Sequence, residues 1–109
     1  MLTEKDYCDY DTRLGLRGVG YPMRAVRMND GRIRMPRITL YKAQKWLRKE
    51  KKLHITIFSQ SQESWQYRIT KPHQKLEDGL YGEDFSSYEE ALSEGIKEAI
   101  KHIKKYETL

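Results

Sequence analysis

PRITLYKAQKWLRKEKKLHITIF, residues Pro36 to Phe58, changes its hydrophobic period from helical to extended at Leu53, and that change decides the fold. Thr39 stands where a side-chain oxygen can accept a backbone N–H at a helix start, and Leu40, Ala43, Trp46 and Leu47 follow at helical spacing. One face of this helix is therefore apolar. Lys42, Lys45, Arg48, Lys49 and Lys52 form a row of cations three to four residues apart on the rest of it, close enough to act on one partner. Leu53, Ile55 and Ile57 then alternate with His54, Thr56 and Phe58, the period of a strand. Helix and strand share one core.

Working downstream, Gln60 to Ser64 reads as a polar turn, and Trp65, Tyr67 and Ile69 alternate with Gln66, Arg68 and Thr70 as an antiparallel partner strand. Pro72 to Asp78 reads as a loop, and Leu80 to Phe85 as a weaker third strand interrupted by Gly82. SSYEEALSEGIKEAIKHIKKY, Ser86 to Tyr106, is the clearest helix. Ser86 with Glu89, or Ser87 with Glu90, offers a capping box; Tyr88, Leu92, Ile96, Ala99 and Ile103 form an apolar stripe; acids fill the first turns and Lys101, Lys104 and Lys105 the last, as the helix dipole favours.

Working upstream, Asp9 can cap a short helix carrying Tyr10 and Leu14, which Gly15, Gly18 and Gly20 weaken and one of the last two ends. Met23 to Met28, the turn Asn29-Asp30-Gly31 and Arg32 to Met35 then read as a β-hairpin, because Asp-Gly accepts the positive φ angles of tight turns. Val26, Met28, Ile33 and Met35 supply its apolar faces, and Arg24, Arg27, Arg32, Arg34 and Arg37 make it strongly cationic. The predicted fold class is α+β. A three-stranded antiparallel sheet packed by two helices, in αβββα order, occupies 38–109. It follows an N-terminal extension, 1–37, with the short helix and the hairpin, in a single folding unit overall.

A chain of 109 residues supports one hydrophobic core. Its apolar content of 38% is low, but those residues are periodic, so the chain is expected to fold. No long apolar run suggests a membrane span, and a single cysteine, Cys8, allows no internal disulfide, so the cytoplasm is the expected compartment. The net charge of +5 conceals a sharp segregation. Arg13 to Lys52 holds thirteen Lys and Arg against Asp30 and Glu50, for +11, whereas Leu76 to Glu98 holds eight acids against Lys97, for −7. Such a basic block attracts nucleic acid or an acidic protein, or faces the chain's own acidic segment.

No catalytic, metal-binding or cofactor-binding residues emerge. His54, His73 and His102 are scattered, Cys8 has no neighbouring His, and the glycines at 15, 18 and 20 lead into Pro22 and a strand rather than a phosphate-facing helix. Trp46, Trp65, Tyr67 and Tyr88 fall at inward positions and read as core. Phe58, Arg68 and His54 share the outer sheet face, either as an exposed patch or beneath the hairpin. The expectation is thus a non-enzymatic protein with no cofactor and no small-molecule substrate. It binds a protein partner or a second copy of itself, with one hairpin lying against the acidic start of the other's last helix. The alternative is a nucleic-acid-binding regulator. Either would use Arg24, Arg27, Arg32, Arg34, Arg37, Lys42, Lys45, Arg48 and Lys49.

The αβββα order resembles the double-stranded-RNA-binding domain from about Thr39 to Ile103. That family starts its last helix with phosphate-gripping lysines, where this chain has Ser86-Ser87-Tyr88-Glu89-Glu90, which repel phosphate. Three blocks in order, EKDYCDYDT, ITLYKAQKWLRKEKKLHI and FSSYEEALSEGIKEAI, resemble a group of small proteins encoded in bacteriophages and mobile elements of gut bacteria. That group is typically written with a CSFE-like start, a QQAxxWLRE-like middle helix and a FDSYEEA-like final helix. The glycines at 15 and 18 depart from its usual first-helix residues. The resemblance implies no particular activity, cofactor or binding residues, but it does imply a mobile-element setting in which small accessory, regulatory or host-inhibiting proteins are common.

Overall fold

The computed structural model describes residues 1–72 and 80–107 and shows an α+β fold. After a single 3₁₀ turn at Glu4–Asp6 come α1 (Tyr10–Gly18), β1 (Val26–Arg27), β2 (Ile33–Arg34), α2 (Leu40–Glu50), β3 (His54–Ser61), β4 (Ser64–Thr70), β5 (Tyr81–Phe85) and α3 (Tyr88–Glu107). Strands β3, β4 and β5 form an antiparallel sheet in that order, and β1 pairs with β2 in a separate two-stranded one. The thinnest dimension is 20 Å, the space that one sheet and one layer of helices take at about 10 Å each.

Local chemistry starts each helix. Asp9 accepts the Thr12 N–H at 2.8 Å to open α1, and the Thr39 hydroxyl accepts the Lys42 N–H at 3.1 Å to open α2. At α3 the Ser87 hydroxyl accepts the Glu90 N–H at 3.1 Å. The Glu90 carboxylate returns not to Ser87 but one residue further back, to the N–H and hydroxyl of Ser86. The cap is therefore a capping box spread over both serines.

α3 is the centre of the packing: it lies across all three strands of the main sheet and touches α1 and α2. Ala91, Leu92, Ile96 and Ala99 are fully buried on it, with Ile100 and Ile103 nearly so, a wider stripe than the spacing alone suggests. All of these but Ala91 meet Ile55, Tyr67 and Ile69 of the sheet, Leu40, Ala43 and Leu47 of α2, and Cys8, Leu16 and Val19 near α1 in one buried cluster. Gln44 ties α2 to the sheet by donating to the Ile55 carbonyl at 2.8 Å.

Four expectations need correction. α1 ends at Gly18, one of the two stops expected, but Gly15 is not a weak point: it is buried, and a Cβ there would stand 3.1 Å from Ile100 Cγ2, so its missing side chain lets α1 approach α3. The hairpin is shorter than Met23–Met35. It pairs only Val26 with Arg34 and Arg27 with Ile33, because Tyr21, Met23 and Met35 turn inward against the core and leave the ladder. The polar turn between β3 and β4 shrinks to Gln62-Glu63, since Ser61 already pairs with Ser64. Gln66, expected to face outward in solvent, is buried. The loop expected over Pro72–Asp78 lies outside the described residues beyond Pro72.

Two glycines separate packing from propensity. Gly95 sits where α3 meets the sheet, and a Cβ there would lie 2.9 Å from Ile55 Cγ2 and 3.2 Å from Tyr67 Cγ. Gly95→Ala gains about 1 kcal/mol of helix propensity but forces two stiff buried side chains apart at a cost of about 1–3 kcal/mol, so the net effect is destabilising. Gly18 has only Lys104 Cε at 3.9 Å, and Gly18→Ala should stabilise by about 0.5–1 kcal/mol. Urea unfolding of the two variants should give opposite signs.

Candidate functional site

The hairpin is short but held. The Met28 N–H donates to the Arg32 carbonyl at 2.7 Å, the Gly31 N–H to the Met28 carbonyl at 3.0 Å, and Gly31 has φ +87. α1 anchors it from the side. The Arg13 guanidinium donates to the Met35 and Pro36 carbonyls at 3.2 and 3.4 Å, and the Tyr10 hydroxyl accepts the Ile33 N–H at 3.4 Å. The backbone then returns to the core, where the Cys8 N–H donates to the Ile38 carbonyl at 2.8 Å and Tyr7 bridges Thr39.

Along one side of the hairpin runs a groove of about 450 Å³. Val26, Met28, Met35 and Pro36 give it an apolar lining and Arg24, Arg34 and Arg37 a cationic rim. Val26 is 55% exposed and Met28 43%, so two of the four apolar residues that the sequence assigns to the hairpin's faces are on the surface, while Met35 is buried and Ile33 half-buried. Arg37 is held by Glu4 at 2.5 Å and lies 3.9 Å from the centre of the Tyr7 ring. Arg32 pairs with Asp30 of its own turn at 3.7 Å. Among the described residues, Arg24, Arg27 and Arg34 have no hydrogen-bond or ion-pair partner.

A second groove, of about 400 Å³, begins on the other side of the Tyr7–Arg37 stack. Asp9, Glu89, Glu90 and Glu94 line it together with Tyr7 and Lys5. Lys97 reaches its edge, 3.1 Å from Asp9 and 3.5 Å from Glu94. Burial pushes the Asp9 carboxyl up, but the Thr12 bonds and Lys97 outweigh it and hold the group below its ordinary value. The bonds from Ser86 likewise lower Glu90. Both groups are therefore anionic at neutral pH. Nearby, the Thr3 N–H and then the Tyr41 hydroxyl, 2.6 Å away, lower Asp6, while that contact pushes Tyr41 up to about 12.

Of the residues singled out in the sequence, Arg24, Arg34 and Arg37 converge on one groove, and Arg27 and Arg32 stand elsewhere on the same hairpin. Lys42, Lys45, Arg48 and Lys49 are exposed on α2, which packs against α3 and β3 rather than the hairpin. They do not line the hairpin groove. The internal neutralisation weighed from the sequence is not seen among the described residues: none of Glu83, Asp84, Glu89, Glu90, Glu94 and Glu98 pairs with a hairpin arginine. On the outer sheet face Arg68 lies 5.6 Å from the Phe58 ring, and among the described residues the hairpin strands show no extensive packing against the sheet. Sequence reasoning missed Tyr7 and the acidic groove, whose members are far apart in the chain; only the acid-rich start of α3 gave a signal.

Among the described residues no group of His, Cys, Asp and Glu is arranged to hold a metal. No helix among them is long and apolar enough to cross a membrane. Cys8 is buried, and desolvation with the nearby Asp9 pushes its thiol up to about 12, so it stays protonated and is a poor nucleophile. No family model, curated protein or solved structure matches the chain.

Two measurements check this geometry. Cys8 should resist a thiol-reactive disulfide at pH 8 in the native protein and react fully in denaturant; rapid native labelling would contradict the burial. Arg13→Ala should raise the rate of tryptic cleavage within residues 24–34 several-fold while lowering global stability by only about 1 kcal/mol, because it frees the hairpin rather than the core.

Proposed function

We propose that this chain is a non-catalytic accessory protein that grips the surface of another protein with its arginine hairpin. The setting is the phage or mobile-element one its sequence resembles. One observation carries the reading: Arg24 and Arg34, unpaired among the described residues, flank a groove whose lining includes exposed Val26 and Met28. Phosphate backbones call for charge and polar donors. Arginine beside methionine and aliphatic carbon is instead the composition of protein–protein contact surfaces, from which lysine is depleted. The cognate surface is acidic and partly apolar. In this reading the protein acts in the cytoplasm, with Cys8 reduced and enclosed.

A second reading, nucleic-acid binding, draws on the exposed row Lys42, Lys45, Arg48 and Lys49 of α2. Titration of labelled probes separates the two: a Glu- and Leu-rich peptide, a short DNA duplex and a single-stranded RNA, each at low and at physiological salt. The peptide should bind at both salts and lose at least about tenfold in affinity in Arg24→Glu/Arg34→Glu. The nucleic acids should bind weakly and fall away steeply with salt. Tighter binding of a nucleic acid than of the peptide at physiological salt would overturn the protein-binding reading. Peptide binding that survives the double substitution would remove the hairpin from it.

A further inference from the structure

We infer that the protein surface this hairpin grips is a second copy of the same chain. Each hairpin lies along the acidic groove of the other copy, around a two-fold axis near the Tyr7–Arg37 stack. The inference rests on the hairpin reading above and names its partner.

Two halves of one surface are complementary in charge and size. The basic groove carries three arginines, Arg24, Arg34 and Arg37, with Glu4 drawn onto the last of them. The acidic groove carries four carboxylates against Lys5, with Lys97 drawn onto Asp9 and Glu94. Counting those neighbours, the halves are +2 and −2, and their volumes, about 450 and about 400 Å³, are similar. Both border the same stack, in which Arg37 lies 3.9 Å from the Tyr7 ring centre.

Within one molecule the halves do not neutralise each other. Arg24 and Arg34 pair with no described acid, and Glu89 has no described partner. A two-fold rotation about a point between the halves sets each against its opposite, twice, and closes the arrangement at two copies. It also covers the apolar carbon of Val26 and Met28, 55% and 43% exposed in one copy. Charge alone would leave those side chains in water.

Sedimentation velocity over a micromolar concentration series tests the arrangement with three proteins. The wild-type chain should form a dimer that weakens as salt rises. Arg24→Glu/Arg34→Glu makes both halves acidic, and Glu89→Arg/Glu94→Arg makes both basic; each should weaken self-association on the order of a hundredfold. Mixed one to one, the two variants should form a heterodimer, and a chain carrying all four changes should dimerise again. These rescues cannot come from misfolded protein, and circular dichroism melting of each variant checks the fold directly.

A wild-type monomer at low salt, a dimer that persists in both variants, a mixture that fails to pair, or oligomers that grow beyond two would each overturn the inference. A wild-type monomer that still binds the Glu- and Leu-rich peptide through Arg24 and Arg34 refutes the second copy and leaves the hairpin reading standing. Loss of both activities refutes both.

Discussion

The closeness with which α3 approaches its neighbours is the constraint on which the rest of this structure depends. On its sheet side Gly95 gives Ile55 and Tyr67 room to reach the helix backbone, and on its other side Ile100 presses into the space left by Gly15 of α1. Interiors are packed as densely as organic crystals, so a small residue opposite a large one fixes a distance rather than merely permitting it. That distance lets Leu92 and Ile96 be fully enclosed, each contributing roughly 1.5–3 kcal/mol of burial. Lys97, one residue after Ile96, is then placed to reach Asp9, which also opens α1. Cap, ion pair and helix contact thus follow from one approach.

The surface inherits its order from that contact. Once α1 is seated, Arg13 and Tyr10 hold the hairpin from the side, and the backbone pairing of Tyr7 and Cys8 with Thr39 and Ile38 lays the N-terminal strip between hairpin and α3. Charge segregated along the chain thereby becomes charge segregated in space. The fold loses little by leaving the two halves unpaired, because an exposed ion pair is worth only about 0.2–1 kcal/mol. The separated charges keep their field, which acts on an approaching molecule.

What the sequence made legible is local. The period change at Leu53, the Thr39 cap and the serines before α3 involve residues within one or two turns of each other, and each appears where the spacing puts it. What it hid is long-range. Gly15 reads as a helix breaker until Ile100 is placed against it. The hairpin reads as long until Tyr21 meets Trp46, 5.3 Å between ring centres, and the chain leaves the ladder to make that contact. The basic groove is local, built from residues 24–37 alone, whereas the acidic groove joins the N-terminal strip to the start of α3, segments that only the tertiary fold brings together. The cations of α2 and of the hairpin, one block in the sequence, end on separate elements.

The kind of cation differs between those elements as well. The hairpin and its exit carry arginine alone, at 24, 27, 32, 34 and 37, whereas the exposed row of α2 is lysine except for Arg48. Lysine is strongly hydrated and suits a face that stays in water; arginine sheds water more readily and meets a carboxylate with two parallel hydrogen bonds. A two-stranded ribbon of this length is at best marginal by itself, and here its order depends on Arg13 and Tyr10. A surface that covers Val26 and Met28 would add burial where the ribbon has least, so binding and ordering of the hairpin reinforce each other. Pre-organisation by α1 lowers the ordering cost that binding must overcome. The anchoring of the ribbon to the core is therefore part of its affinity, not merely of its stability.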